Sequence, residues 1–394
     1  REQPHIISVL ETMFEETWND IEFELYDPNR DGEKFAAAIE SSASWGRGES
    51  GSLEQFFINF AGIEVEPRPF QQEVLDQLEA ERILFNRHSN LVVMATGTGK
   101  TVVAGLDYRR LHDQNQVKTL LFIAHRKEIL RQSQSLFRAV MREGDFGELL
   151  VDGERPTHWN HVFASVQSLS QKDIHSIDPT QFDMVIIDEF HHAGAETYEA
   201  LLGHLKPKIL LGLTATPERT DEKDILKWFG GHVAAELRLW DAIDRQILSP
   251  FQYFGLHDNV DLRSSVPWKR GFGYEISELS NVYTGNDMRV ALVLQQIKKH
   301  VSDISNMKAI GFCVSIAHAN FMAEKFCRAG IQSVAVTSAM TTAEREESLK
   351  DLKIGKIKAI FAVDIFNEGV DIPDVNTLLM LRPTESATIF IQQL

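Results

Sequence analysis

The apolar run Leu91-Val-Val-Met94 passes directly into Ala95-Thr-Gly-Thr-Gly-Lys-Thr101 and then into a helical stretch over 102–111. This strand, glycine loop and helix constrain the fold more than any other part of the chain. Gly97 and Gly99 allow the backbone to turn until its N–H groups converge, and a helix N-terminus at that point favours an anion. Thr96 and Thr98 complete the loop. Lys100 is placed to reach the terminal phosphates of a nucleotide, and the Thr101 hydroxyl is a hard oxygen donor suited to Mg²⁺. The strict phosphate-loop pattern has glycine where this chain carries Met94. Such a unit belongs to a parallel sheet covered by helices, so the expected class is α/β.

The rest of the chain repeats that alternation. Apolar, β-branched runs predict buried strands at 90–94, 119–124, 161–164, 184–187 and 209–213, then a second series at 309–313, 333–336, 359–362 and 377–381. Two series in 394 residues, more than one core usually supports, predict two parallel-sheet domains. Expected boundaries are an acidic helical appendage and Ser/Gly-rich linker over 1–53, a first domain over 54–240, a connecting segment over 241–284 and a second domain over 285–394. The net charge is −17, but residues 1–55 hold 13 acidic against 4 basic side chains, so −9 of it is concentrated there. An acidic total argues against a surface coated for nonspecific nucleic-acid binding, yet leaves room for local phosphate contacts. Cys313 and Cys327 are too few and too far apart for a disulfide framework or a zinc site. No apolar run has the length of a membrane span and no secretion signal is recognisable, so no membrane partner and a cytoplasmic location are expected.

A second constellation follows the run Met184-Val-Ile-Ile187, which ends in Asp188-Glu189-Phe-His191-His192. Carboxylates at the C-terminal edge of a parallel sheet lie where open α/β folds bind ligands. Asp188 suits the surroundings of Mg²⁺, and Glu189 is the candidate base for the attacking water in phosphoryl transfer. Next comes Leu211-Gly-Leu-Thr-Ala-Thr-Pro217. The hydroxyls of Thr214 and Thr216 are able to bond the acidic pair and link hydrolysis to movement, with His191 as an intermediary.

Taken in order, Ala95–Thr101, Asp188-Glu-Phe-His191 and Thr214-Ala-Thr216 resemble the superfamily 2 DExH helicases and translocases. The resemblance implies two tandem RecA-like domains and an ATP hydrolase stimulated by nucleic acid, with ATP and Mg²⁺ as cofactors. Pro67-Arg68-Pro-Phe-Gln71-Gln72 is similar to the motif whose glutamine reads adenine, placing Arg68 and Gln71 at the nucleotide. Ala124-His-Arg126-Lys, Ser165-Val-Gln167 and Gly311-Phe-Cys-Val-Ser315 resemble strand-contacting motifs, implying nucleic-acid contacts at Arg126, Gln167 and Ser315. In Asp364-Ile-Phe-Asn367-Glu-Gly369-Val-Asp371, the resemblance sets Gly369 and Asp371 at the nucleotide and Asn367 near the strand.

The phrases at 236–243 and 250–255 resemble a bacterial subgroup in which a phospholipase D-like domain precedes the motor and an uncharacterised domain follows, and residues 14–28, with Thr17-Trp-Asn-Asp20, look like the tail of such a phospholipase D-like domain. No nuclease motif of that domain occurs in this sequence. The family's motif that supplies arginines to the transferring phosphate begins with glutamine, and the sequence stops at Gln392-Gln-Leu394, so weak turnover is expected of the chain as it stands. The leading expectation is a motor acting on DNA, more than on RNA, in repair, restriction or defence. A nucleotide-gated binding scaffold and a motor subunit serving a nuclease, in cis or in trans, are the alternatives.

Overall fold

The computed structural model describes residues 65–394 apart from 170, 190–194, 216–224, 258–261, 263–265, 267, 270–272, 364–371, 373 and 384–394. The appendage expected over 1–53 lies outside the described residues, as do His191, Thr216, Asn367, Gly369 and Asp371. Residues from Glu64 onward form one compact unit, built on two parallel sheets.

The first sheet contains β1 (Ser89–Met94), β2 (Leu120–Ala124), β3 (Glu148–Leu150), β4 (His161–Ser165), β5 (Met184–Ile187), β6 (Ile209–Thr214) and β7 (Ala235–Leu237). Their spatial order is β3-β4-β2-β5-β6-β1-β7, and every pair is parallel. Alternation along each strand sends side chains to opposite faces. Val92, Met94, Phe122 and Ile186 therefore join one core, while Leu91, Val93, Ile123 and Ile187 join another on the reverse face. Helices α1 (Pro69–Ile83), α2 (Lys100–Asp113), α3 (Lys127–Met141), α4 (Gln171–Ser176), α5 (Ala195–His204) and α6 (Leu239–Asp244) accompany it. On the first face, Phe122, Phe137, Phe163 and Tyr108 pack ring against ring at centroid separations of 5.4 to 6.2 Å.

Strands β3 and β7 were not among those expected. Each has three residues and sits at a sheet edge, too short for a period-two pattern to emerge. The other expected strands lie within one or two residues of the observed ones.

Beyond α6 the connecting segment contains an antiparallel pair formed by β8 (Trp268–Lys269) and β9 (Gly273–Tyr274), and α7 (Ile276–Tyr283). Beyond α8 (Asp287–His300) the second sheet has β10 (Ala309–Phe312), β11 (Ser333–Val336), β12 (Ala359–Ala362) and β13 (Thr377–Met380), ordered β11-β12-β10-β13 and parallel throughout. Helices α9 (Ile316–Arg328) and α10 (Thr342–Lys353) alternate with these strands. The two sheets with their helices are two α/β domains, as the strand–helix alternation predicts, and they are RecA-like, as the resemblance implies. Among the described residues no helix is long and apolar enough to cross a membrane.

Candidate active site

The strand order explains why distant sequence segments meet. Strand β6 lies between β5 and β1, and all three run parallel. The loop after β1, the carboxylates after β5 and Thr214 at the end of β6 therefore share one C-terminal edge. Thr214 is fully buried there and pairs in register with Val93.

Gly97 and Gly99 adopt φ of 80° and 82°, the left-handed region that glycine enters without a Cβ penalty. Gly99 is the N-cap of α2, so the helix begins at Lys100. The Thr98 hydroxyl donates to the Ala95 carbonyl at 2.6 Å, and the Ala95 N–H donates to the Leu237 carbonyl at 2.9 Å, tying the loop to β7. A Cβ added to Gly99 would lie 2.6 Å from Gln71 Nε2, and one on Gly97 would lie 3.4 Å from a Leu248 methyl. Residues from α1 and the connecting segment thus press against the loop backbone. The Arg245–Glu73 ion pair, at 2.7 Å, joins these two elements.

Gln71 is buried and already engaged at both ends. Its Oε1 accepts the Arg68 N–H at 2.9 Å, and its Nε2 donates to the Thr98 carbonyl at 3.1 Å. A carboxamide carries two donors and two acceptor lone pairs, so one N–H and one lone pair remain. Those match the acceptor N7 and the donor N6 of adenine. Arg68 is exposed at the N-cap of α1.

Lys100 Nζ lies 3.5 Å from Glu189 Oε1, both side chains being nearly enclosed. Glu189 has φ of 49°, a conformation that a side chain with a Cβ adopts only when its surroundings impose it. Its N–H donates to Asp188 Oδ1 at 3.0 Å. Burial, then the adjacent Glu189 carboxylate, raises the Asp188 pKa, against the pull of Lys100. Asp188 and the half-buried Thr101 offer hard oxygen donors, and among the described residues no cluster of three metal-ligating side chains occurs. That donor set suits Mg²⁺, which keeps waters and substrate phosphates as its other ligands.

Two buried charges that periodicity did not reveal hold this arrangement together. The Arg82 guanidinium on α1 forks onto Asp107 on α2, with both contacts at 2.7 Å, and Arg110 adds a third contact to Asp107 at 3.0 Å. Asp107 is 0% exposed. The pair clamps the helix carrying Gln71 to the helix headed by Lys100. The available signal was Asp107 placed directly after the apolar run Val102-Val-Ala-Gly-Leu106.

The expected strand-contacting residues fall into two groups. Arg126 follows β2 as the N-cap of α3, and Gln167 follows β4. Strands β2 and β4 are neighbours, and Gln167 Nε2 lies 3.0 Å from His125 Nδ1, so the two motifs meet on one edge. Ser315 lies at the corresponding edge of the second sheet. Its hydroxyl accepts the His318 N–H at 3.1 Å as the cap of α9, and contacts Ser280 Oγ at 2.7 Å. It therefore has structural work beside any strand contact.

Two family models match the chain. That for "Type III restriction enzyme, res subunit" covers residues 64–219, and that for "Helicase conserved C-terminal domain" covers residues 292–394. A 51.5 kDa protein of Lactococcus phage (isolate 7-9) is 28% identical over 297 residues, covering 75% of this chain and 60% of the phage protein. The endonuclease subunit of the type I restriction enzyme EcoAI from Escherichia coli is 28% identical over 281 residues, covering 65% of this chain and 33% of that subunit. The chain thus spans only part of the relatives it matches. Among solved structures, the ATP-dependent type ISP restriction-modification enzyme LlaBIII bound to DNA superposes with a TM-score of 0.63 at 16% identity, over 84% of this chain and 26% of that one, a likeness of fold.

Proposed function

Since the chain belongs to the superfamily 2 helicases and translocases, we propose that it is the motor core of an ATP-driven machine that travels along DNA. The observation that carries this reading is the meeting of Lys100 and Glu189 beside a glycine loop, at the edge formed by β5, β6 and β1.

In this reading Gln71 and Arg68 receive the adenine end, the N–H groups of 96–101 cradle the phosphates, and Lys100 leaves Glu189 for the γ-phosphate. Glu189, released, accepts the proton of the attacking water as the bond between the β–γ bridging oxygen and the γ-phosphorus breaks and ADP departs. Thr101 and Asp188 would hold Mg²⁺, whose charge offsets that of the phosphate oxygens. Thr214, with Thr216 and His191, passes the state of the site to the strand-contacting edge at Arg126 and Gln167. Gly369 and Asp371 would close on the nucleotide from the second domain, and Asn367 and Ser315 on the strand.

DNA as the track, and a nuclease or restriction assembly as partner, are supported by the names of the family model and of the EcoAI relative. The reading of residues 1–53 as the tail of a phospholipase D-like domain, and a cytoplasmic location, rest on the sequence alone. Displacement of a triplex-forming strand from a DNA duplex tests the reading. ATP-dependent displacement is expected, whereas nucleotide-dependent binding without displacement would favour a gated scaffold.

A further inference from the structure

The connecting segment after α6 exposes more aromatic surface than a passive linker needs. Tyr253 is 66% exposed, and Phe254 and Leu256 are each 45% exposed. They sit against the last turn of α8, where Lys298, Lys299 and His300 follow one another. The Phe254 ring stacks on the His300 imidazole at 3.8 Å between centroids and 29° between planes. Tyr253, Phe254, Leu256, Lys299 and His300 line a groove of about 420 Å³, within the size range of ligand-binding clefts. Among the described residues no carboxylate lines it, in a chain whose net charge is −17.

Exposed rings interleaved with basic groups suit one class of partner above others. Bases of any sequence stack on aromatic faces, and neighbouring cations hold the backbone. A protein partner would also bury the rings, but it gives no reason for a lysine and two imidazoles lining the groove with no carboxylate among the described residues. Position matters as well. Helix α8 leads through residues 301–308 to the start of β10, so its last turn lies at the sheet edge opposite Ser315, which follows the end of β10. The groove is therefore separate from the edge that carries the motor's own contacts.

We infer that this groove is a second strand-binding site, taking single-stranded nucleic acid with its bases on Tyr253 and Phe254 and its phosphates against Lys299 and His300. The inference rests on the nucleic-acid reading above and adds a contact outside the motor motifs. Such a site would hold a strand away from the ATP-driven track.

Photocrosslinking with a single strand carrying 5-iododeoxyuridine, followed by peptide mapping, tests it on the whole chain. A crosslink within residues 250–257 is expected. Tyr253→Ala and Lys299→Ala should each weaken affinity for that strand, by roughly 10-fold for the tyrosine, while hydrolysis without nucleic acid is unchanged. Crosslinks confined to the segments around Arg126 and Gln167, with parental affinity in both variants, would overturn the site. So would variants that bind the strand normally but lose a co-purifying protein, which would make the groove a protein-docking face. A parent that binds no strand at all would overturn the motor reading itself, a result distinguishable from failure of this groove alone.

Discussion

Lys100 and Glu189 face each other at 3.5 Å, so the cation expected to meet a phosphate is held by the carboxylate expected to take a proton from water. On the proposed mechanism nucleotide separates them, and this makes their substitutions inequivalent. Lys100→Ala removes the phosphate contact and should abolish both tight ATP binding and hydrolysis. Glu189→Gln keeps a polar partner for Lys100 and should lower hydrolysis at least 100-fold, the usual scale for loss of a general base, while fluorescent ATP analogues still bind. Loss of binding in Glu189→Gln equal to that in Lys100→Ala would contradict the assigned roles.

Gln71 touches the phosphate loop as well as being the proposed contact to the base, so Gln71→Ala should do more than relax base choice. Loss of its bond to the Thr98 carbonyl loosens the loop around every nucleotide. The expected result is weaker binding of ATP and GTP alike, by roughly 5- to 10-fold for one lost buried hydrogen bond, plus a further drop specific to ATP. Competition titrations with both nucleotides measure it. A loss confined to ATP would mean that the bond to Thr98 contributes nothing to the loop.

The Arg82–Asp107 fork is buried and bidentate. Asp107→Ala leaves a guanidinium buried without its counter-charge and should destabilise the protein by roughly 3–5 kcal/mol, read from denaturant midpoints. Because the fork joins α1 to α2, milder Asp107→Asn should raise the KM for ATP before the fold is lost. A destabilisation below about 1 kcal/mol in Asp107→Ala, typical of exposed pairs, would show that the clamp is dispensable.

His318 supplies a pH dependence with a definite sign. It is buried, stacks near Tyr283 and accepts the Val314 N–H at 3.3 Å. Burial, then the charge of Arg289, lowers its pKa from 6.5 to about 4. Between those values the unfolded chain binds more protons than the folded one, so stability is lost as pH falls through that window. At pH 5 the loss from this group should be about 2 kcal/mol relative to pH 8. Urea unfolding at the two pH values checks it: His318→Gln should show a smaller difference than the parent, and an equal difference would remove His318 as the cause.

Ser315 shows why a contact read from sequence needs separating from packing. Its hydroxyl caps α9, so Ser315→Ala should cost about 1 kcal/mol of stability. Ser315→Asn preserves a capping oxygen and should restore stability, yet still reduce stimulation by nucleic acid. If Asn restores both, the residue is a cap alone.

Much of this architecture was legible because it is written in local patterns. The strand β1, the loop to Lys100 and the helix α2 are contiguous, and the apolar runs of β2, β5 and β6 have the composition that two covered faces demand. Strands β3 and β7 were hidden because three-residue edges have no period. The Arg82–Asp107 fork was hidden because the two residues are 25 positions apart, and burial of charge cannot be read from spacing. Gln71 was read as a base contact, but its grip on Thr98 depends on how α1 leans on the loop, a tertiary fact. The aromatic groove was equally out of reach: residues 250–257 read only as part of a connecting segment, and the exposure of their rings against the end of α8 is a tertiary fact.

The most direct test of the motor assignment is ATP hydrolysis by the chain with and without single-stranded DNA, duplex DNA and RNA, beside Lys100→Ala as the control. The account predicts hydrolysis that DNA stimulates more than RNA and that disappears in Lys100→Ala. A rate indifferent to every nucleic acid, or one that survives Lys100→Ala, would contradict it.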